Sequence, residues 1–139
     1  MSRILTFGAF DLLHYGHMRL LQRLAARGTH LIVALATDEL LAAGKAAPFY
    51  PYAIRREMLL HTRYVDEVVA HGGAADGAGR VRLVAAKIAL VEALAVDEVA
   101  MGDDWQGDYD FLLPYCRVAY LARTPDISTS AIRRSLSSR

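Results

Sequence analysis

Two imidazoles three residues apart, His14 and His17, stand where an apolar run, Ile4-Leu5-Thr6-Phe7, gives way to a helix-patterned one, Met18-Arg19-Leu20-Leu21-Gln22-Arg23-Leu24. The residues between, Gly8-Ala9-Phe10-Asp11-Leu12-Leu13, read as a turn from a strand into a helix. Backbone N–H groups at a helix start lack intrahelical partners and face a partial positive charge outward, which suits an anion. Residues three apart meet across one helical turn, and Gly16 between the histidines lets a ligand approach the backbone closely. The chemistry this pattern suits is work on the phosphates of a nucleoside triphosphate. A histidine pair at this spacing is also half of a metal site. Cys116 is the only cysteine and no His-Glu-x-x-His pattern occurs, so a zinc cluster lacks local support.

Two further segments carry groups able to contact a nucleotide. Met101-Gly102-Asp103-Asp104-Trp105 offers acids and an aromatic that can meet a ribose hydroxyl, an amino group or a magnesium ion. Ala122-Arg123-Thr124-Pro125-Asp126-Ile127-Ser128-Thr129-Ser130 supplies hydroxyls at a second helix start, with Arg123 as a cation beside it. Such hydroxyls are also ordinary helix caps, and paired acids are commonly caps or solvated charges. Lys45, in the loop Gly44-Lys45-Ala46-Ala47-Pro48, can reach a phosphate or stay solvated. Arg55 and Arg63 lie eight apart and can pair with strand-end acids such as Asp38 or Asp66. Lys87 has the periodicity of a helix-surface residue.

The elements that position these groups alternate. Apolar runs at Arg3–Phe7, His30–Ala36, Asp66–Ala70, Asp97–Met101 and Cys116–Leu121 predict strands covered on both faces. Helical periodicity predicts helices at Tyr15–Arg27, Tyr52–His61, Arg80–Leu94 and Ser128–Ser138. Together they imply a single Rossmann-like α/β domain over residues 1–139: a doubly wound, parallel, five-stranded sheet with helices on both faces. Ligands in such sheets gather at the carboxyl ends of the strands, near the reversal of strand order, and the motifs fall at those ends. Residues 71–79 are loop by composition, and no internal repeat or linker stands out.

With 139 residues, 54% hydrophobic and 22% charged, the chain reads as one compact soluble domain. A net charge of +1 and scattered basic residues give no reason to expect nucleic acid as a partner. The longest apolar region, 83–96, is interrupted by Lys87 and Glu92 and makes a poor membrane span. No signal peptide is evident, so a cytoplasmic location is expected. Dinucleotide, Walker and Gly-x-Ser-x-Gly fingerprints are all missing, which removes the sequence basis for hydride transfer, P-loop phosphoryl transfer and serine hydrolysis.

Phe10–His17, Arg63-Tyr64-Val65-Asp66-Glu67-Val68, Met101–Trp105 and Arg123–Ser130 follow one another in an order that resembles the cytidylyltransferase family of the HxGH nucleotidyltransferases. The likeness covers nearly the whole chain and is greatest to the branch that acts on glycerol 3-phosphate. It implies transfer of a cytidylyl group from CTP to sn-glycerol 3-phosphate, giving CDP-glycerol and pyrophosphate, with Mg2+ on the triphosphate. By the same resemblance Gly8, Ala9, Phe10, His14, Gly16 and His17 line the CTP site, and Asp104 sits by the nucleoside. Arg123, Thr124, Ile127, Ser128, Thr129 and Ser130 hold the nucleotide and its phosphates, and Lys45 and Lys87 the phosphorylated polyol. His14, His17 and Arg123 are the implied catalytic groups, and no protein-held metal is expected. A homodimer and a role in surface-polymer synthesis also follow from the resemblance. Members resembling this chain carry threonine where it has Ala9, and several lysines where it keeps Lys45 alone.

The implied mechanism needs no general base, because a phosphate monoester is already anionic at neutral pH. Alignment and stabilisation of charge then carry the reaction. Neighbouring anions favour protonated imidazoles, so His14 and His17 are expected to be cationic with CTP bound. Rival readings share the fold: an adenylyltransferase of FAD-synthase or sugar-phosphate type, a choline- or ethanolamine-phosphate cytidylyltransferase, or a nucleotide sensor without activity.

Overall fold

Strand β1 (Arg3–Gly8) and strand β2 (His30–Ala36) are almost wholly buried, which is why their sequences are continuous apolar runs rather than alternating ones. The computed structural model describes residues 2–44, 47–72, 79–122 and 129–137. Strands β3 (Glu67–His71), β4 (Glu98–Gly102) and β5 (Arg117–Leu121) complete an all-parallel sheet in the order β3-β2-β1-β4-β5. Helices α1 (Tyr15–Ala25) and α3 (Tyr52–Leu60) place Leu21, Leu24 and Leu59 against one face of the sheet. Helix α4 (Gly79–Ala93) and the turns at Asp110–Leu112 cover the other through Val91 and Leu112. The expected fold holds, with strand boundaries displaced by one residue at most. Helix α2 (Asp38–Gly44) was not anticipated, although Thr37 Oγ1 accepts from Leu40 N in the manner of an N-cap. Helix α5 (Thr129–Ser137) follows the last strand.

One tetrapeptide recurs, and its two copies make matching contacts. Val65-Asp66-Glu67-Val68 opens β3, and Val96-Asp97-Glu98-Val99 opens β4. In each, the aspartate carboxylate accepts a backbone N–H from the neighbouring strand: Leu31 N to Asp66 at 2.8 Å, and Arg3 N to Asp97 at 2.8 Å. The following glutamate meets cations: Glu67 lies 3.1 Å from His30, while Glu98 bonds Arg27 and stands 3.7 Å from Arg117. The amino-terminal edge of the sheet is thus closed by paired charges and reciprocal backbone bonds.

The opposite edge is open. Strand β1 pairs with β2 from Arg3↔His30 through Gly8↔Leu35, but with β4 only at Ile4↔Glu98 and Leu5↔Val99. Beyond Leu5 the sulfur of Met101 takes over, accepting from Phe7 N at 3.4 Å and from Thr6 Oγ1 at 3.6 Å. A bulky sulfur in place of a ladder bond separates the two strand ends at the point where strand order reverses.

The Arg27 guanidinium, opposed by burial, holds the Glu98 carboxyl below its ordinary value. A folded-state pKa below the unfolded one adds stability above the unfolded value and loses it as pH falls through the folded one. Glu98→Gln is therefore expected to lower the urea midpoint near pH 7 and to flatten its decline toward about pH 3. A midpoint that falls with acid as steeply as in the unmodified protein would contradict this.

Candidate active site

The start of helix α1 is held by a reciprocal histidine cap. His14 is the N-cap residue, and its Nδ1 accepts from Gly16 N at 3.0 Å and from His17 N at 3.4 Å. His17, at the third helical position, returns the bond through Nδ1, which accepts from His14 N at 3.2 Å. Serine or threonine with glutamate or glutamine usually fills these positions. Here two imidazoles do, stacked with ring centroids 3.9 Å apart. The consequence is a fixed tautomer: each Nδ1 accepts, so each proton sits on Nε2, and among the described residues no hydrogen bond uses either Nε2.

The turn leading into this cap is strained and pinned. Phe10 (φ 46°) and Leu12 (φ 51°) occupy the left-handed region without being glycine. A Cβ on Gly8 would lie 2.7 Å from the Phe10 ring, so the strand must end in glycine for that ring to fold back over it. Asp11, 6% exposed, accepts from Phe49 N at 2.6 Å and Tyr50 N at 3.0 Å, and from the Arg133 guanidinium of α5. Burial pushes its carboxyl up, but these donors outweigh it and keep the group below its ordinary value. Arg55, fully buried, donates to Ala9 O, Ala36 O and Tyr50 O, each at 2.9 Å, and to Asp38 at 2.7 Å. It thereby ties the β1–α1 turn to the end of β2 and to the loop before α3. The predicted Arg55–Asp38 pair is present, whereas Asp66 instead serves Leu31 N.

These elements enclose a cleft of about 350 Å³ at the separated ends of β1 and β4. Gly8, Ala9, Phe10, His14, Gly16, His17 and Asp104, all singled out from sequence, line it together. Sequence reasoning missed Asp11, Arg23 and Met101 as parts of it. Arg23 projects from α1 and donates to Ala122 O, fastening the end of β5 beside the cleft. Asp104 and the half-exposed Trp105 stand on a short 3-10 turn directly after β4, with Trp105 edge-on to Tyr109. Lys45, Arg123, Thr124, Ile127 and Ser128 lie outside the described residues, and Thr129 and Ser130 open α5. Among the described residues, no group of three or more His, Cys, Asp or Glu side chains is arranged to hold a metal ion.

Lys87 is not the helix-surface residue its periodicity suggested. It is half-buried, with Nζ 5.5 Å from the Phe7 ring centroid and 5.6 Å from that of Tyr109, one aromatic ring away from the cleft. Burial lowers its pKa. The expectation of cationic imidazoles also meets resistance. Burial lowers His14, and burial followed by repulsion from His14 brings His17 down to about 4 against the opposing pull of Asp11. Protonating either Nδ1 would point a donor at the backbone donors it now serves.

A family model described as cytidylyltransferase-like matches residues 5–135. The chain is 43% identical to the glycerol-3-phosphate cytidylyltransferase of Staphylococcus aureus (strain NCTC 8325 / PS 47), over 98% of this chain and 96% of that protein. It is 37% identical to the protein of the same name from Bacillus subtilis (strain 168), over 98% of each. In fold it is similar to the lipopolysaccharide core biosynthesis protein from Thermoplasma volcanium GSS1, with a TM-score of 0.67, 18% identity, and coverage of 89% of this chain and 98% of that one. The chain belongs to the cytidylyltransferase-like family, a class of nucleotidyltransferase enzymes. No helix among the described residues is long and apolar enough to cross a membrane.

The cap geometry has a direct spectroscopic consequence. Nitrogen-15 NMR of the imidazoles at about pH 7 is expected to show both rings neutral with the proton on Nε2, and His17 titrating at about 4. Because that value lies below the ordinary 6.5, the His17 contribution to stability is full above 6.5 and declines as pH falls toward 4. An Nδ1-protonated His17 at neutral pH would overturn the cap.

Proposed function

We propose that this protein transfers the cytidylyl group of CTP to sn-glycerol 3-phosphate, releasing pyrophosphate and forming CDP-glycerol. The observation that carries the proposal is the pair of capped imidazoles, each with its Nε2–H unused, at a helix start lining the cleft. Full-length similarity to proteins named for this activity supports the choice of nucleotide and acceptor.

An oxygen of the acceptor phosphate, already anionic, attacks the α-phosphorus of CTP in line. The new P–O bond forms as the bond to the bridging α,β-oxygen breaks, and pyrophosphate leaves with that electron pair. His14 and His17 donate through Nε2–H to oxygens around the reacting phosphorus, as neutral rather than cationic groups. Their positions are set before substrate arrives, so no reorganisation is needed when charge develops. The N–H groups at the start of α1 add a partial positive charge. Asp104 and Trp105 border the nucleoside, and Arg123 with the hydroxyls of Ser128, Thr129 and Ser130 embraces the nucleotide from the second helix start. Lys45 and Lys87 attract the phosphorylated polyol. Magnesium would arrive with the triphosphate rather than on a protein site, and would supply positive charge to its phosphates when bound. The proposal extends to a cytoplasmic homodimer whose product serves surface-polymer synthesis.

Two substitutions separate catalysis from capping. His14→Asn retains a side-chain acceptor at the N-cap, and His17→Gln retains the return bond of a capping box. Each removes one imidazole donor. Both variants are expected to keep the wild-type thermal midpoint within a few degrees while kcat falls about 10²- to 10³-fold, with CTP affinity changing far less. The assay is magnesium-dependent pyrophosphate release, with CTP and ATP crossed against glycerol 3-phosphate and other phosphorylated acceptors. Turnover with CTP and glycerol 3-phosphate alone is the expected result. Undiminished turnover in either variant would remove the imidazoles from the chemistry.

A further inference from the structure

His71, the last residue of β3, is 5% exposed, and both of its ring nitrogens are buried without a hydrogen-bond partner. They are the only such side-chain atoms among the described residues. Buried polar groups in native proteins are paired almost without exception, so an imidazole lacking both partners calls for a cause. Its neighbours are equally incomplete. The ring packs edge-on against Phe7, with centroids 5.1 Å apart, and the Lys87 ammonium stands over that same Phe7 ring and over Tyr109. No carboxylate pairs with Lys87 among the described residues; its recorded close partners are two aromatic faces. One cluster therefore joins a cation without an anion to an imidazole without an acceptor or a donor.

The cluster's place in the fold matters as much as its chemistry. Phe7 and His71 both lie at the carboxyl-end half of their strands, where ligands collect in open parallel sheets. Phe7 is shared: it touches both His71 and Lys87 and it lines the cleft. The amino-terminal edge, by contrast, has its acids and cations matched. The missing partner at the carboxyl edge must bring negative charge for Lys87 and an acceptor for His71.

We propose that His71 and Lys87 together form the binding pocket for the phosphate of the acceptor, with His71 donating one ring N–H to a phosphate oxygen beside the Lys87 ammonium. The proposal rests on the cytidylyl-transfer reading above and adds His71 as an acceptor-binding residue. A phosphomonoester dianion meets both needs at once, since it carries enough charge for the ammonium and spare lone pairs for the imidazole. The remaining ring nitrogen is an acceptor and suits a hydroxyl of the polyol. Burial, and then the nearby Lys87 charge, lower the His71 pKa to about 4, so the ring is neutral with one proton to donate.

The test has a binding arm and a kinetic arm. In the binding arm, the His71 side-chain nitrogen resonances are followed while inorganic phosphate is added to the whole protein without CTP. A saturable shift that disappears in Lys87→Met is expected; resonances that do not move would overturn the pocket. In the kinetic arm, His71→Phe keeps a flat ring against Phe7 but removes both nitrogens. The KM for glycerol 3-phosphate should rise about tenfold while the KM for CTP and the thermal midpoint stay near wild type. An unchanged acceptor KM, or equal movement of both KM values with a lowered midpoint, would reduce His71 to a packing residue. The arms also separate the two readings. Saturable phosphate shifts in a protein that never releases pyrophosphate would leave the pocket standing and remove the transferase reading, whereas turnover without shifts would do the reverse.

Discussion

Reciprocal capping between His14 and His17 is the constraint on which the rest of the cleft depends. A helix start leaves backbone donors unsatisfied, and any polar side chain with an acceptor can serve them. Using imidazoles for this task commits one nitrogen of each ring to the backbone and leaves the other for a ligand. The helix is thereby anchored by the same side chains to which the chemistry is proposed to fall. Their geometry follows from the helix and requires no separate scaffold. What it does require is a turn that delivers His14 to the N-cap with extended backbone, φ −138° and ψ −179°. The left-handed residues Phe10 and Leu12 make that turn possible, and Asp11 and Arg55 hold it in place from both sides. Strain localised in two residues is stable only when its surroundings over-determine them.

The two edges of the sheet divide stability from function. At the amino edge, the repeated Val-Asp-Glu-Val segments place each aspartate on a neighbouring strand's N–H and each glutamate among cations. Every charge there has a local reason. At the carboxyl edge, β1 and β4 cease to pair, Met101 sulfur fills the gap, and donors without acceptors among the described residues accumulate: two Nε2–H groups, the Lys87 ammonium and the His71 ring. Excess donors at this open edge make it the side suited to an anion.

The strand and helix alternation was legible because buried parallel strands leave short continuous apolar runs between segments of helical period. The histidine pair was legible because strand, turn and helix meet at it. Asp11 was not, since its partners Phe49, Tyr50 and Arg133 lie far along the chain and no local spacing announces them. Arg55 left a fainter signal. It shares a helical stripe with Tyr52 and Leu59, so its burial accords with the period once an arginine is allowed to face inward. Lys87 was assigned to the surface from its periodicity, yet with Ile88 and Val91 it packs inward from α4. His71 reads from sequence as the opening of a loop, whereas it ends β3, and what distinguishes it, the absence of partners among the described residues, is not something sequence encodes.

Neutral imidazoles, on the proposed reading, divide the labour within the cleft. Two cations with ring centroids 3.9 Å apart would repel one another, and each would have to abandon its backbone bond to exist. Neutral rings avoid both costs, but they bring direction to the phosphates rather than net charge. The charge must come from elsewhere: from the α1 helix start, from cations such as Lys87, and from whatever accompanies the triphosphate. Directional donors fixed by a cap can be placed to fractions of an ångström, whereas a long cationic side chain cannot. The arrangement assigns geometry to the groups that hold still and neutralisation to the groups that move. An attack in line on phosphorus needs the first more strictly than the second.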